Sequence, residues 1–203
     1  MKKTVVVCAM MMMAVGAFGQ SAKFGFQLTG ANINVSGALS DVYGFGYGGG
    51  VHLDINLPVL LSFRLQGDYV RVSPDEGKYQ KLVSSVIPGS NPTDYKIEGG
   101  AINVWSAHAN VKSSFLPLPI VSPYITGGIG LANLSSSELT VKYQGQPLGN
   151  APGVKGETNF SANVGAGADL KLGLELFIEV RYTWIFTSGE TSTYIPISVG
   201  VTL

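Results

Sequence analysis

The chain has 203 residues, with 13 Lys+Arg against 13 Asp+Glu, 13% charged residues, 27 glycines and one cysteine. Balanced charge without a basic run leaves no electrostatic footprint for nucleic acid, and a lone cysteine rules out an internal disulfide framework. A charged fraction well below the roughly 25% of ordinary soluble domains points to a surface that is not wholly in water.

The amino terminus, MKKTVVVCAMMMMAVGAFGQ, has the three parts of a secretory signal peptide. Lys2 and Lys3 form a positive n-region, residues 4–15 an apolar h-region, and Ala17-Phe18-Gly19 a small-x-small cleavage site. Cleavage after Gly19 divides the chain into a leader, residues 1–19, and one mature domain, residues 20–203. The apolar run is shorter than the ~20 residues of a spanning helix, and Cys8 lies inside it behind Val7, away from a lipoprotein processing site. No later stretch reaches the ~18 apolar residues that a membrane helix requires.

Eight strands are predicted in chain order, over residues 23–35, 43–55, 60–72, 100–113, 122–134, 159–171, 174–186 and 193–203. Their signals are alternating apolar residues, β-branched and aromatic enrichment, and Gly, Pro or Asn punctuation. Each covers the ~9–11 residues of a tilted membrane strand. The first slips from its alternation near Asn32, and the fourth near Asn103, as a bulge or a misplaced strand boundary would make it do. In the second, Tyr43, Phe45, Tyr47, Val51, Leu53 and Ile55 share one face, against Gly44, Gly46, Gly48, Gly50, His52 and Asp54. In the third, Leu61, Phe63, Leu65 and Tyr69 oppose Ser62, Arg64, Gln66 and Asp68, and in the sixth Phe160, Val164 and Leu170 oppose Ser161, Asn163 and Asp169. The seventh is clearest: Leu174, Leu176, Ile178, Val180, Tyr182, Trp184 and Phe186 lie opposite Glu175, Glu179, Arg181 and Thr183, with Phe177 and Ile185 as exceptions. The eighth offers Ile195, Ile197, Val199, Val201 and Leu203 to one face.

Connectors alternate in length. Residues 56–59, 114–121 and 172–173 are short; residues 36–42, 73–99, 135–158 and 187–192 lie at the other rim, and the middle two are long and polar. Together with the export signal and low charge, this layout predicts an all-β fold, an eight-stranded antiparallel up-and-down transmembrane β-barrel. Its apolar face turns outward into lipid and its short turns face the periplasm. Tyr43, Phe45, Tyr47, Tyr182, Trp184 and Phe186 fall at strand ends on the long-loop rim, where an aromatic girdle belongs.

The segments PYITGGIGLANL (residues 123–134), FSANVGAGADLKL (160–172), LFIEVRYTW (176–184) and PISVGVTL (196–203) resemble the eight-stranded outer-membrane β-barrel superfamily, which includes the OmpA transmembrane domain and its small relatives. The resemblance implies residence in the Gram-negative outer membrane, contact with membrane lipid and lipopolysaccharide, and recognition of the carboxyl-terminal strand by the assembly machinery. The family usually ends in an aromatic residue, whereas this chain ends in Leu203. The expected protein is a monomer without cofactor or metal, with any extracellular ligand held by its loops.

Candidate chemistry concentrates on the inward parity. Strands three and seven face each other across an eight-stranded lumen, so ion pairs are expected between Arg64 and Glu179 and between Asp68 and Arg181. Such a lumen is only wide enough for side chains to fill, and unpaired buried charge is costly. The set serves either as a salt-bridged plug or as the gate of a narrow pore. His52 and His108 also face inward, without a second ligand at metal-binding spacing. Ser106 and His108 share a face and hint at a hydrolase pair, although no outer loop contains a histidine. The glycines at 44–50 lack the GK[ST] sequel of a phosphate loop; small inward residues instead make room for long side chains. The expected function is that of a non-enzymatic integral outer-membrane protein, structural or surface-interacting. A small passive channel, a lipid A-modifying enzyme and a soluble lipocalin-like carrier are the alternatives; the carrier requires the inverse parity, with Trp184 and Ile178 inside.

Overall fold

The computed structural model describes residues 22–34, 43–57, 60–86, 91–116, 118–187 and 191–203. The leader, its cleavage site and the loop expected at 36–42 lie outside these residues. The strands are β1 (Ala22–Asn34), β2 (Phe45–Asn56), β3 (Leu61–Val72), β4 (Tyr95–Gly99), β5 (Ile102–Ser114), β6 (Val121–Ser136), β7 (Leu139–Tyr143), β8 (Gln146–Ala151), β9 (Glu157–Leu172), β10 (Leu174–Phe186) and β11 (Thr191–Thr202); among the described residues an α-helix, α1, spans Glu76–Val86 and a 3-10 turn Pro92–Asp94.

Eight of these strands close a barrel in the order β1-β11-β10-β9-β6-β5-β3-β2. Closure comes from antiparallel pairing of β1 with β11, running from Gly25 opposite Thr202 to Asn34 opposite Thr193. Every strand thus has a partner on each side, the condition for a sheet to cross lipid, where an unpaired backbone amide has no water to turn to. The parity seen in the sequence points as expected: on β10, Ile178 is 47% exposed while the adjacent Glu179 is 2% exposed. Outward-facing leucine, isoleucine, valine and phenylalanine cover the wall, and the polar residues turn in.

The slips near Asn32 and Asn103 are not bulges. Pairing runs unbroken through both positions, and burial alternates without interruption along β5. What changes is the chemistry of the interior. Near the long-loop rim the inward positions are Ala31, Val70, Val72, Ile102, Val104, Ala132, Ile185 and Tyr194, which form one buried apolar cluster. At Asn32 and Asn103 a polar residue faces outward beside inward apolar ones, so the polarity pattern inverts there; the apolar interior also accounts for Ile185 as an exception on β10.

The two long connectors are not structureless either. Pro74 bridges Tyr43, and Asp75 caps α1 by accepting the Lys78 backbone N–H at 3.1 Å. The strands β4, β7 and β8 form a second sheet in the order β4-β7-β8. Its hairpin turns through Gln144 and Gly145, both at positive φ (48° and 83°), with Tyr143 paired to Gln146; two left-handed residues match the twist of the flanking strands. Tyr95 and Tyr143 pack across β4 and β7 with tilted rings, centroids 4.9 Å apart, and Lys142 pairs with Glu98 at 2.6 Å. The long-loop rim therefore carries a folded cap in which segments of both connectors share one sheet.

Candidate functional site in the barrel lumen

Seven charged side chains converge in the lumen among the described residues: Arg64, Lys112 and Arg181 against Asp54, Asp68, Asp169 and Glu179, each at most 5% exposed. Their positions follow from strand parity and from β3 and β10 standing four strands apart around the ring. Arg64 Nη1 donates to Glu179 Oε2 at 3.3 Å, and Arg181 Nη2 to Asp68 Oδ2 at 3.2 Å. The strand opposition expected from the sequence brings these four residues together.

The stronger partner of Arg64, however, is Asp54 on the adjacent β2. Its Nε and Nη2 reach the two Asp54 oxygens at 2.6 and 2.7 Å, a bidentate fork that fixes both side chains. Asp54 stands directly opposite Arg64 in the β2–β3 register, which the sequence reading did not use. Glu179 contacts both arginines, since Arg181 Nε lies 3.0 Å from its Oε1, and it also accepts the Tyr124 hydroxyl at 2.9 Å. Gln27 and Gln66 both donate to Asp68, the latter at 3.0 Å. A second ion pair joins Lys112 to Asp169 at 2.7 Å, with the ammonium 4.0 Å above the Tyr124 ring. Three cations thus meet four carboxylates, with neutral hydroxyl and amide donors adding bonds to Glu179 and Asp68, while Glu179 Oε1 meets Arg181 without a hydrogen bond. Phe177, an apolar exception on the inward face, has the Arg64 guanidinium 4.8 Å from its ring centroid, a favourable cation–π geometry.

The histidines belong to this packing. His52 Nε2 contacts Thr202 Oγ1 at 3.1 Å, and His108 Nε2 contacts Ser161 Oγ at 3.0 Å. The Ser106–His108 pairing suggested by their shared face is not made: Ser106 Oγ lies 3.4 Å from the Tyr194 hydroxyl instead. No cluster of metal-ligating side chains occurs among the described residues. Gly128 and Gly130 sit against Asn110 and His108, where an added Cβ would lie 2.1 Å from Asn110 Oδ1 and 2.1 Å from the Ala107 carbonyl. Larger residues there would collide with the interior packing.

Of the aromatic residues expected at the rim, Phe45 and Tyr47 are strongly exposed and Tyr182 and Phe186 are exposed on the outer face, while Trp184 is half-buried. Tyr182 and Trp184 pack at 4.8 Å, and Phe160 stacks on Phe186 at 5.8 Å. Tyr43 differs. It precedes β2, packs against the interior apolar cluster and donates its hydroxyl to the Gly100 carbonyl at 3.0 Å. Burial raises that hydroxyl above the ordinary tyrosine value, so it remains a donor. Tyr69 and Trp105, which were not expected in the girdle, pack on the outer face with centroids 4.4 Å apart.

A family model described as the outer membrane protein beta-barrel domain matches residues 5–203. No curated protein matches the chain in sequence. Among solved structures, Neisserial surface protein A is similar at 17% identity, covering 90% of this chain and 98% of that one, with a TM-score of 0.53. A major outer membrane protein from Thermus thermophilus is similar at 12% identity, covering 90% of this chain and 100% of that one, with a TM-score of 0.50. Ail, the attachment invasion locus protein of Yersinia pestis, matches at 11% identity over 90% of this chain and 97% of that one, with a TM-score of 0.46. With an eight-stranded closed barrel, an apolar outer wall and a family match over nearly its whole length, this chain belongs to the outer membrane protein beta-barrel domain family.

Proposed function

We propose that the protein is a non-enzymatic, monomeric outer-membrane barrel whose sealed lumen serves as a rigid core and whose cap is displayed outside the cell. The observation that carries this reading is the filled interior. An apolar cluster stands at the long-loop rim above a cross-lumen ion network in which Arg64, Glu179 and Arg181 are each no more than 2% exposed. A gate needs charged groups that can separate; here each arginine contacts two carboxylates and Glu179 contacts both arginines, so parting any one pair disturbs the rest. Short turns facing the periplasm and a folded cap facing outward support surface interaction as the role.

Display of the cap is testable in cells. In this reading the mature chain has no cysteine, because Cys8 leaves with the leader. A Gln144→Cys variant should react with a membrane-impermeant maleimide in intact cells. A Lys171→Cys variant, at the opposite rim, should react only after permeabilisation. The inverse pattern would overturn the outward placement of the cap.

A further inference from the structure

In the ring of eight strands every neighbouring pair but one is joined by a connector. The exception is β1 with β11, the first and last strands of the barrel, which meet by pairing alone. At the short-turn end of this seam β1 begins and β11 stops, and strand ends of that kind fray. Parting there would bare two unpaired strand edges in lipid, where backbone groups find no water.

The lumen repeats one device that bears on this seam. An inward glycine stands in a row with polar residues on both neighbouring strands, and these two bond to each other over it. Asn163 donates to Asn110 over Gly128 at 2.9 Å, and Tyr124 to Glu179 over Gly167 at 2.9 Å. His108 and Ser161 meet over Gly130 at 3.0 Å, and Gln27 reaches Asp68 over Gly50.

One more such row crosses the seam itself. His52 on β2, Gly25 on β1 and Thr202 on β11 stand in register, and His52 Nε2 lies 3.1 Å from Thr202 Oγ1. The imidazole fills the room that Gly25 leaves: a Cβ there would lie 2.3 Å from its Cε1 and Nε2. Phe177 on β10 meets the ring edge-on with centroids 5.2 Å apart, and the histidine is 1% exposed. Lys23 on β1 also pairs with Glu175 on β10, a tie that passes across β11.

We propose that His52, seated over Gly25 and bonded to Thr202, latches the β1–β11 seam shut at its short-turn end. The latch runs from β2 to β11 and the lysine tie from β1 to β10, so the seam parts only when both break. Each holds a pair of strands that no connector joins.

Amide hydrogen exchange of the mature protein in phosphatidylcholine nanodiscs, read strand by strand, tests the latch. In the wild type, protection at the short-turn end of β1 and β11 should come within about tenfold of that in β5 and β6. Thr202→Val should lower protection along that end of the seam at least ~10-fold and leave β5 and β6 unchanged. Thr202→Ser keeps the hydroxyl and should match the wild type. Ser161→Ala, which takes the same kind of bond from His108 on the opposite wall, should leave the seam as it is. The latch is overturned if Thr202→Val leaves the seam unchanged or loosens every strand alike, or if Thr202→Ser behaves as Thr202→Val does. A wild-type seam more than about tenfold less protected than β5 and β6 overturns it without any variant.

Discussion

Arg64→Ala should lower the unfolding free energy by about 3–5 kcal/mol, the largest effect expected of any single lumen substitution. The side chain is 1% exposed and holds Asp54 through two bonds of 2.6 and 2.7 Å and Glu179 through a third of 3.3 Å. Its removal leaves both carboxylates in an interior without their main cation and takes the guanidinium from the Phe177 ring. Most of the loss comes from stranded negative charge, so a second substitution should recover part of it. Asp54→Asn added to Arg64→Ala is expected to be less damaging than the sum of the two single changes, because neighbours in one network are not additive. Urea titration of vesicle-inserted protein measures all four states. A loss below about 1 kcal/mol for Arg64→Ala would mean that water fills the lumen and solvates the carboxylates, contrary to a packed core.

The second large effect concerns the outer wall. Val180→Arg, near the middle of β10, should cost about 2–4 kcal/mol, whereas Phe186→Arg at the strand end should cost about 0–1 kcal/mol from charge burial plus its lost ring contact. Val180 is 44% exposed and Phe186 46% exposed, so surface exposure does not separate them; depth in lipid does. A steep difference between the two variants in refolding titrations would match an apolar wall in hydrocarbon. Equal, small costs would indicate that both positions meet water. The same depth dependence explains why Arg71, which faces outward near the long-loop end of β3, is tolerated at the rim and not at the midplane.

Most of the barrel was legible because one physical constraint acts on every strand. A wall between lipid and a polar interior imposes a period of two, and Leu174–Phe186 displays it almost without interruption. Arg64 and Glu179 could be matched because strand counting alone places β3 opposite β10. Legibility ended where the constraint changed. Near Asn32 and Asn103 the interior is apolar and the outward residue polar, so the polarity pattern inverts although burial alternates evenly, which has the look of a slip in the sequence. The role of Asp54 was hidden for another reason: its partner is a cross-strand neighbour, and that match depends on the β2–β3 register, which composition does not record. In the cap, the signals were present but short. Asp75 ahead of Glu76-Gly77-Lys78 is a helix cap, and Gln144-Gly145 between LTVKY and QPLGNA is a hairpin turn. Strands of five or six residues inside polar connectors gain their order from pairing between two loops distant in sequence, which no local pattern records.

The proposed function depends on a lumen closed by its own side chains. Planar bilayer recordings of the purified mature protein test it most directly, with Glu179→Ala beside the wild type. A closed lumen should give no discrete conductance steps from the wild type across the physiological voltage range, and none from Glu179→Ala, because the apolar cluster of Val70, Val72, Ile102, Val104 and Ile185 still blocks the long-loop end. Reproducible single-channel steps from the wild type, altered in size or gating by Glu179→Ala, would contradict it.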